Sequence, residues 1–137
     1  MAAMKPHITF HGLCREALTF YREIWCGDIN QLSTYDESPV EFPSHLSGRV
    51  MYAEFDCQEI SFLASDGVKD SLPQGSGDLA IHVLFSNKKR QSDVFSGLSK
   101  EGHIYMPLDD TFWQMRYGIV TDKYGIRWML SCPSHSL

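Results

Sequence analysis

The sequence predicts an α+β fold made of two modules in tandem, each running strand, helix, strand, strand, strand. Two observations carry this. The first is a hairpin that occurs twice: residues 51–65 read MYAEFDCQEISFLAS and residues 115–131 read MRYGIVTDKYGIRWMLS. At an offset of 66, Asp56 falls on Asp122, Ile60 on Ile126, Phe62 on Trp128 and Ser65 on Ser131. In each copy an apolar run meets a polar turn and a second apolar run follows, which marks a hairpin. The second observation is that the upstream segments repeat as well. At an offset of 74, Pro6 falls on Ala80, Ile8 on His82 and Phe10 on Leu84. An internal repeat constrains the architecture before any single residue is interpreted.

The elements follow in order. Residues 6–12 (PHITFHG) read as a short strand and 13–25 (LCREALTFYREIW) as a helix. Leu13, Ala17, Leu18, Tyr21, Ile24 and Trp25 form one apolar stripe with polar positions between, the mark of a helix lying on a sheet. Gly27 is a natural stop just beyond it. Residues 28–35 (DINQLSTY) are the next strand, and 36–48, with two prolines and several small polar residues, a loop long enough to cover a pocket. The first hairpin follows. Residues 66–78 (DGVKDSLPQGSGD) are rich in Gly, Ser and Asp and read as the linker between modules. The second module repeats the order: a strand at 79–85 (LAIHVLF), a helix at 88–99 (KKRQSDVFSGLS), a strand near 103–107 and the closing hairpin. The second helix has a thinner stripe, Val94, Phe95 and Leu98, and Lys88, Lys89 and Arg90 oppose the helix dipole in its first turn.

The chain has 137 residues, the size of one domain, with module 1 over about 5–66 and module 2 over about 77–132. A chain of this length buries roughly 68% of its unfolded surface, enough to fold without a disulfide or metal. Its net charge is −5 and its only basic run is Lys88–Arg90, which argues against nucleic acid. No apolar run reaches the ~18 residues of a membrane span, so no membrane is expected. The start, MAAMKPHITF, has no apolar core of a signal peptide. Cys14, Cys26, Cys57 and Cys132 have no paired spacing and fit free thiols in a reducing, cytoplasmic setting. Cys14 falls in the first helical turn, where a dipole can activate a thiol; a buried small residue is the plainer reading.

The βαβββ repeat, the helix ALTFYREIW, the segment ISFLASD and the ending DTFWQMRYGIVTDKYGIRWML resemble the PhnB-like branch of the vicinal oxygen chelate superfamily. That superfamily includes glyoxalase I, extradiol dioxygenases, fosfomycin-resistance proteins and bleomycin-binding proteins. Members of the branch are often labelled as similar to 3-demethylubiquinone-9 3-methyltransferase. The resemblance runs from about residue 5 to residue 132. It implies the glyoxalase/bleomycin resistance/dioxygenase fold, in which each module curls a mixed sheet around a cavity. It also implies a homodimer with its cavities at or near the subunit interface. It does not imply one chemistry, because this scaffold hosts many.

Metal-dependent members of the superfamily place His, Gln or Glu ligands on the first and last strand of each module. Carried over by the internal repeat, those places are Pro6, Leu63, Ala80 and Met129. The family ending resembles D-x-x-G-N-R-x-E-L, and here it runs from Asp122 to Leu130 with Met129 where the glutamate would stand. A shift of one residue on the first strand would bring in His7. No metal and no cofactor are expected from this set.

What remains is a largely apolar cavity for a small-molecule ligand, with Leu63 and Met129 lining it. Strand alternation puts His82 on the side of Ala80. A lone strand histidine is more often structural; the functional alternative is a hydrogen-bonding or general-base group. In the stretch DTFW…R, Trp113 either stacks on a flat ligand or packs the core, and packing is favoured. Arg116 either binds an anion or pairs with Asp109 or Asp110. Gly75-Ser76-Gly77 precedes a strand, whereas a phosphate loop opens a helix, so the methyltransferase label lacks support in the residues. Three readings compete: a dimeric small-molecule-binding protein, a metal-free enzyme of lyase or isomerase type using His82, and a metal-dependent glyoxalase- or dioxygenase-like enzyme with ligands from other positions. The missing ligands weigh against the third.

Overall fold

A computed structural model describes residues 4–68 and 79–134. The chain divides between residues 73 and 74 into two compact units. The first holds β1 (His7–Thr9), α1 (Cys14–Trp25), β2 (Asp28–Thr34), β3 (Val50–Asp56) and β4 (Ser61–Ser65). The second holds β5 (Ile81–Leu84), α2 (Lys88–Ser99), β6 (His103–Asp110), β7 (Met115–Thr121) and β8 (Arg127–Pro133). Each unit is a four-stranded mixed sheet carrying one helix, in the order β1-β4-β3-β2 and β5-β8-β7-β6. β1 runs parallel to β4 and β5 parallel to β8, while the other neighbours are antiparallel. This is the α+β architecture of two βαβββ modules that the repeat predicts. The linker glycines, Gly75 and Gly77, fall outside the described residues.

In the first unit α1 buries Cys14, Ala17, Leu18, Tyr21 and Trp25. The Tyr21 ring meets Phe55 and Phe62 edge-on at 6.4 and 5.9 Å, so the helix sits on the face that β3 and β4 present through those two residues. Leu13, expected in the stripe, instead precedes the helix and is exposed. The helix ends at Trp25, where the sequence predicts, and Cys26 beyond it takes the left-handed conformation itself (φ 53°). Gly27 is needed for space: a Cβ there would lie 2.6 Å from the Phe55 ring and 2.7 Å from the Asp56 carbonyl oxygen.

In the second unit α2 does begin at Lys88 despite the three basic residues. Asn87 caps it, its Oδ1 accepting from the Arg90 N–H at 2.9 Å, and Lys89 pairs with Asp93 one turn on at 2.8 Å. Gln91 is fully buried beneath the helix. Its Nε2 donates to the carbonyls of Arg116 (2.8 Å) and Leu130 (3.2 Å), tying α2 to both β7 and β8.

The two hairpins are not equal in length. Asp56 pairs with Ser61 across four turn residues, whereas Thr121 pairs with Arg127 across five. The offset of 66 therefore holds for β4 and β8, but on β3 and β7 it is 65, and Asp122 is a turn residue while Asp56 is still in its strand. In that turn Asp122 is buried; it accepts from the Tyr124 and Ile126 N–H groups and from Trp128 Nε1 at 2.8 Å.

The start of α1 has no capping side chain of its own. Asp66, just past β4, supplies the acceptors: Oδ1 takes the N–H groups of Gly12 and Cys14, and Oδ2 that of Val50, each at 2.8 Å. Removing it leaves three inward backbone donors without their carboxylate, at about 1–3 kcal/mol for each one left unsatisfied. Asp66→Ala is expected to lower unfolding stability by about 3 kcal/mol or more on that basis, read as a fall in the urea midpoint; a midpoint within error of wild type would show the carboxylate to be dispensable.

Candidate functional site

Residues paired across strands point to the same face, so the registers sort side chains into a helix-facing and an open side. In the second sheet, Ile81, Val83, Trp128, Leu130 and Val120 share the helix-facing side, and Val83, Trp128, Leu130 and Val120 are buried there. The open side carries His82 beside Met129 and Met129 beside Ile119, then Leu84 beside Ser131 and Ser131 beside Tyr117. His82 is exposed, and its Nε2 lies 2.8 Å from the Ser131 hydroxyl, an exchangeable hydrogen bond whose direction depends on the tautomer. Leu84 is 62% exposed.

The turn between β6 and β7 adds aromatic surface to this side. Thr111 closes it: its N–H and hydroxyl both donate to the Met115 carbonyl, and Gln114 N–H donates to the Thr111 carbonyl. Gln114 takes a left-handed conformation (φ 63°), and Phe112 and Trp113 project outward. Trp113 is 50% exposed and Phe112 94% exposed, their rings meeting edge-on at 4.9 Å. Trp113 also meets the Tyr117 ring at 6.1 Å. Core packing, the role favoured for Trp113 from sequence, is therefore corrected: the tight turn holds the indole at the surface, next to an open-face tyrosine.

Arg116 lies on the other side. Its cross-strand partner is the buried Cys132. Its Nη1 donates to Gln91 Oε1 (3.0 Å), Ser92 Oγ (2.9 Å) and, at 3.5 Å, the Lys88 carbonyl. The guanidinium thus fastens β7 to the first turns of α2, and it is not brought together with His82, Met129 or Trp113. Strand parity alone, with Arg116 one residue from Tyr117, separates the two. Tyr117 and Ile119 were not singled out in the sequence, although the same parity applied to MRYGIVT contains them, and Ser131, two residues after Met129 on β8, was named only in the repeat.

The first sheet has the corresponding open side. His7 pairs with Leu63 and Leu63 with Glu54, all facing away from Phe55, Phe62 and Ala64 of the core. Leu63 and Met129 are thus equivalent, and the residues beside them on the first strands are His7 and His82. The repeat that sets Pro6 and Ala80 at these places is one residue short on β1, where the offset is 75. The buried pairs make the same correction: Ile8 answers Val83 and Phe10 answers Phe85. Each open side therefore offers one imidazole beside an alkyl or thioether side chain. Among the described residues no group of three or more His, Cys, Asp or Glu is placed to hold a metal ion. A leucine supplies no donor and a thioether favours soft metals, so within either unit the set does not fit the superfamily's usual divalent metal.

The loop after β2 forms a pocket of its own, of about 320 Å³, lined by residues between 35 and 47 with Tyr35 and Phe42 edge-on at 4.8 Å. It does not include the open-face residues.

Against this geometry stand the comparisons with known proteins. A family model described as 3-demethylubiquinone-9 3-methyltransferase matches residues 2–131. The chain belongs to this family. A crystal structure of protein PA1353 from Pseudomonas aeruginosa is 27% identical, covers 97% of this chain and 98% of its own, and superposes with a TM-score of 0.85. A PhnB protein from Bacillus cereus, described as a putative 3-demethylubiquinone-9 3-methyltransferase, is 26% identical over 96% of this chain and 99% of its own, with a TM-score of 0.78. The fosfomycin resistance protein FosX from Listeria monocytogenes, solved with Mn(II) and sulfate, shares the fold at 10% identity, covering 96% of this chain and 91% of its own with a TM-score of 0.63. The likeness to FosX is one of fold. A nucleotide-like methyl donor does not fit the helix starts: the N–H groups before and at the start of α1 are already given to Asp66, and α2 opens on Asn87.

The thiols are sorted by burial. Cys14 is buried, and desolvation, then the Asp66 charge, push its thiol up to about 12. Cys132 is also raised, by desolvation. Cys26 is exposed. At pH 8 Cys26 is expected to react with a disulfide reagent in the folded protein while Cys14 reacts only after denaturant is added. Peptide mapping of the labelled thiols checks this, and rapid labelling of folded Cys14 would contradict it.

Proposed function

We propose that this chain, as a PhnB-like member of its family, is a small-molecule-binding protein that works as a homodimer, with the open side of the second sheet seating the flat, apolar part of its ligand. The observation that carries this is the composition of that side: Met129, Ile119 and Leu84 surround the His82–Ser131 pair, with Tyr117, Trp113 and Phe112 alongside. An apolar surface with aromatic rings and one placed polar pair is the ordinary make-up of a small-molecule site. Leu63 has the equivalent place on the first sheet. Four free cysteines support a reducing, cytoplasmic location. No helix among the described residues is long and apolar enough to cross a membrane, and the charge of −5 argues against nucleic acid.

A second reading is a metal-free enzyme of lyase or isomerase type. The 2.8 Å contact between His82 Nε2 and Ser131 Oγ favours it, since a positioned imidazole can carry a proton to or from a bound molecule.

A thermal-shift screen of small aromatic compounds, run with and without divalent metal ions, tests the binding reading. Compounds with a flat apolar part are expected to raise the melting temperature without added metal. His82→Ala is expected to melt close to wild type, because the side chain is exposed, and to lose most of that shift. A mutant with a markedly lower melting temperature and an unchanged ligand shift would assign His82 to the framework.

The dimer is expected because Phe112, Leu84, Ile104 and Tyr105 leave apolar surface uncovered on the single chain, and two-fold pairs are the commonest closed assemblies. Light scattering at micromolar concentration should give twice the chain mass; a monomer mass refutes it.

A further inference from the structure

We propose that the loop between β2 and β3 holds a binding site for a small organic ammonium ion, lined by none of the open-side residues of either sheet. The loop is a closed unit. At its neck the Tyr35 N–H donates to the Arg49 carbonyl at 3.1 Å, and the Gly48 N–H donates to Asp36 Oδ2 at 2.7 Å. Within it, two single turns at Tyr35–Glu37 and Ser44–Leu46 are closed by the Ser38 N–H on the Tyr35 carbonyl and the Ser47 N–H on the Ser44 carbonyl. Leu46 is buried and anchors the loop. Compact surface loops whose ends adjoin, packed by their own side chains, are frequently functional. The repeat does not demand this one: in the second module β6 and β7 are joined by the tight turn that Thr111 closes.

The pocket of about 320 Å³ enclosed by the loop has the size of a small-ligand site. Its walls combine two kinds of group. The Tyr35 and Phe42 rings meet edge-on at 4.8 Å, and the Asp36 and Glu41 carboxylates line the same space. No lysine or arginine is among the lining residues. Aromatic faces and carboxylates both attract a cation, the rings through their quadrupole and the carboxylates through their charge. An anion would meet two like charges. The bond from Gly48 holds Asp36 in place, so one carboxylate is positioned before any ligand arrives. The cation is organic rather than a metal ion, because among the described residues no group of three or more His, Cys, Asp or Glu is placed to hold one, and rings suit an alkylammonium surface. A loop whose acidic residues are merely solvated would show the same pocket without any ligand preference, and the experiment separates the two.

The full-length chain is titrated with benzyltrimethylammonium, benzyl alcohol and benzoate, and binding is followed by the shifts of assigned backbone amide NMR signals. The ammonium ion is expected to bind about ten-fold or more tightly than the alcohol, and benzoate most weakly, with the saturable shifts concentrated on residues 35–48. Asp36→Asn combined with Glu41→Gln keeps the acceptor for the Gly48 N–H and the shape of the pocket, and is expected to bring the ammonium ion to within about two-fold of the alcohol. Phe42→Leu keeps both charges, removes an exposed ring and should weaken the ammonium ion about three-fold or more. Glu23→Gln, which takes a carboxylate from the exposed side of α1, should leave the preference unchanged. Equal binding of ammonium ion and alcohol, no saturable shift on the loop with any probe, a preference that survives the double variant, or one lost equally with Glu23→Gln would each overturn the proposal. Shifts confined to the open-side residues around His82 would overturn it as well, while supporting the second-sheet site.

Discussion

The buried carboxylate of Asp66 is the interaction on which the first module depends. It is a single residue past the end of β4, yet it holds the turn before α1, the first helical N–H and the start of β3. Burying a carboxylate costs several kcal/mol, and three short N–H bonds together with the positive end of a helix dipole are what offset that cost. The arrangement explains why α1 needs no serine or aspartate of its own at its start. Burial, and then the same negative charge beside it, raise the Cys14 thiol.

The second module solves the same problem with other residues. The place of Asp66 is taken there by Cys132, a buried thiol that cannot stand in for a carboxylate. The helix is capped locally by Asn87, and its attachment to the sheet passes to Gln91 and Arg116. The alternating apolar pattern, Ile8 and Phe10 in one module and Val83 and Phe85 in the other, is common to both. The polar anchors are not. Two βαβββ modules therefore share their burial pattern while holding their helices by unrelated hydrogen bonds.

That division sets what was legible in the sequence. Hairpins, helices and strand order follow from periodicity, and periodicity survives duplication. The anchors depend on partners up to 54 residues away, as for Asp66 with Gly12, and no local pattern announces them. Gln91 looks like any surface glutamine in KKRQSD, and only the close approach of helix and sheet shows it to be buried. The first-strand register failed for a different reason. β1 and β5 are three and four residues long, and over so short a span apolar positions align almost as well with a one-residue slip. Trp113 changed role because a tight turn stands between it and the strand whose parity is readable, whereas Arg116 lies within β7 and its side follows from that parity.

A one-residue slip is small for the fold and large for the site, because it exchanges the two faces of a strand. With the register corrected, the residue beside Leu63 is His7 rather than Pro6, and the residue beside Met129 is His82, two residues along the same face from Ala80. What the chain lacks is thus narrower than the sequence suggested: the imidazoles stand on the open faces, and it is the acidic partner on the last strand of each module that is replaced. An imidazole beside leucine or a thioether keeps its capacity to donate, accept and carry a proton, while losing the neighbouring anion that would help it hold a divalent cation. On the second sheet His82 lies 2.8 Å from the Ser131 hydroxyl, beside Met129 and Leu84. On the first sheet the carboxylate in the row through Leu63 comes from the neighbouring strand, where Glu54 Oε1 accepts from the Tyr52 hydroxyl. The open-face positions can therefore change without disturbing the helix-facing residues that fold the module.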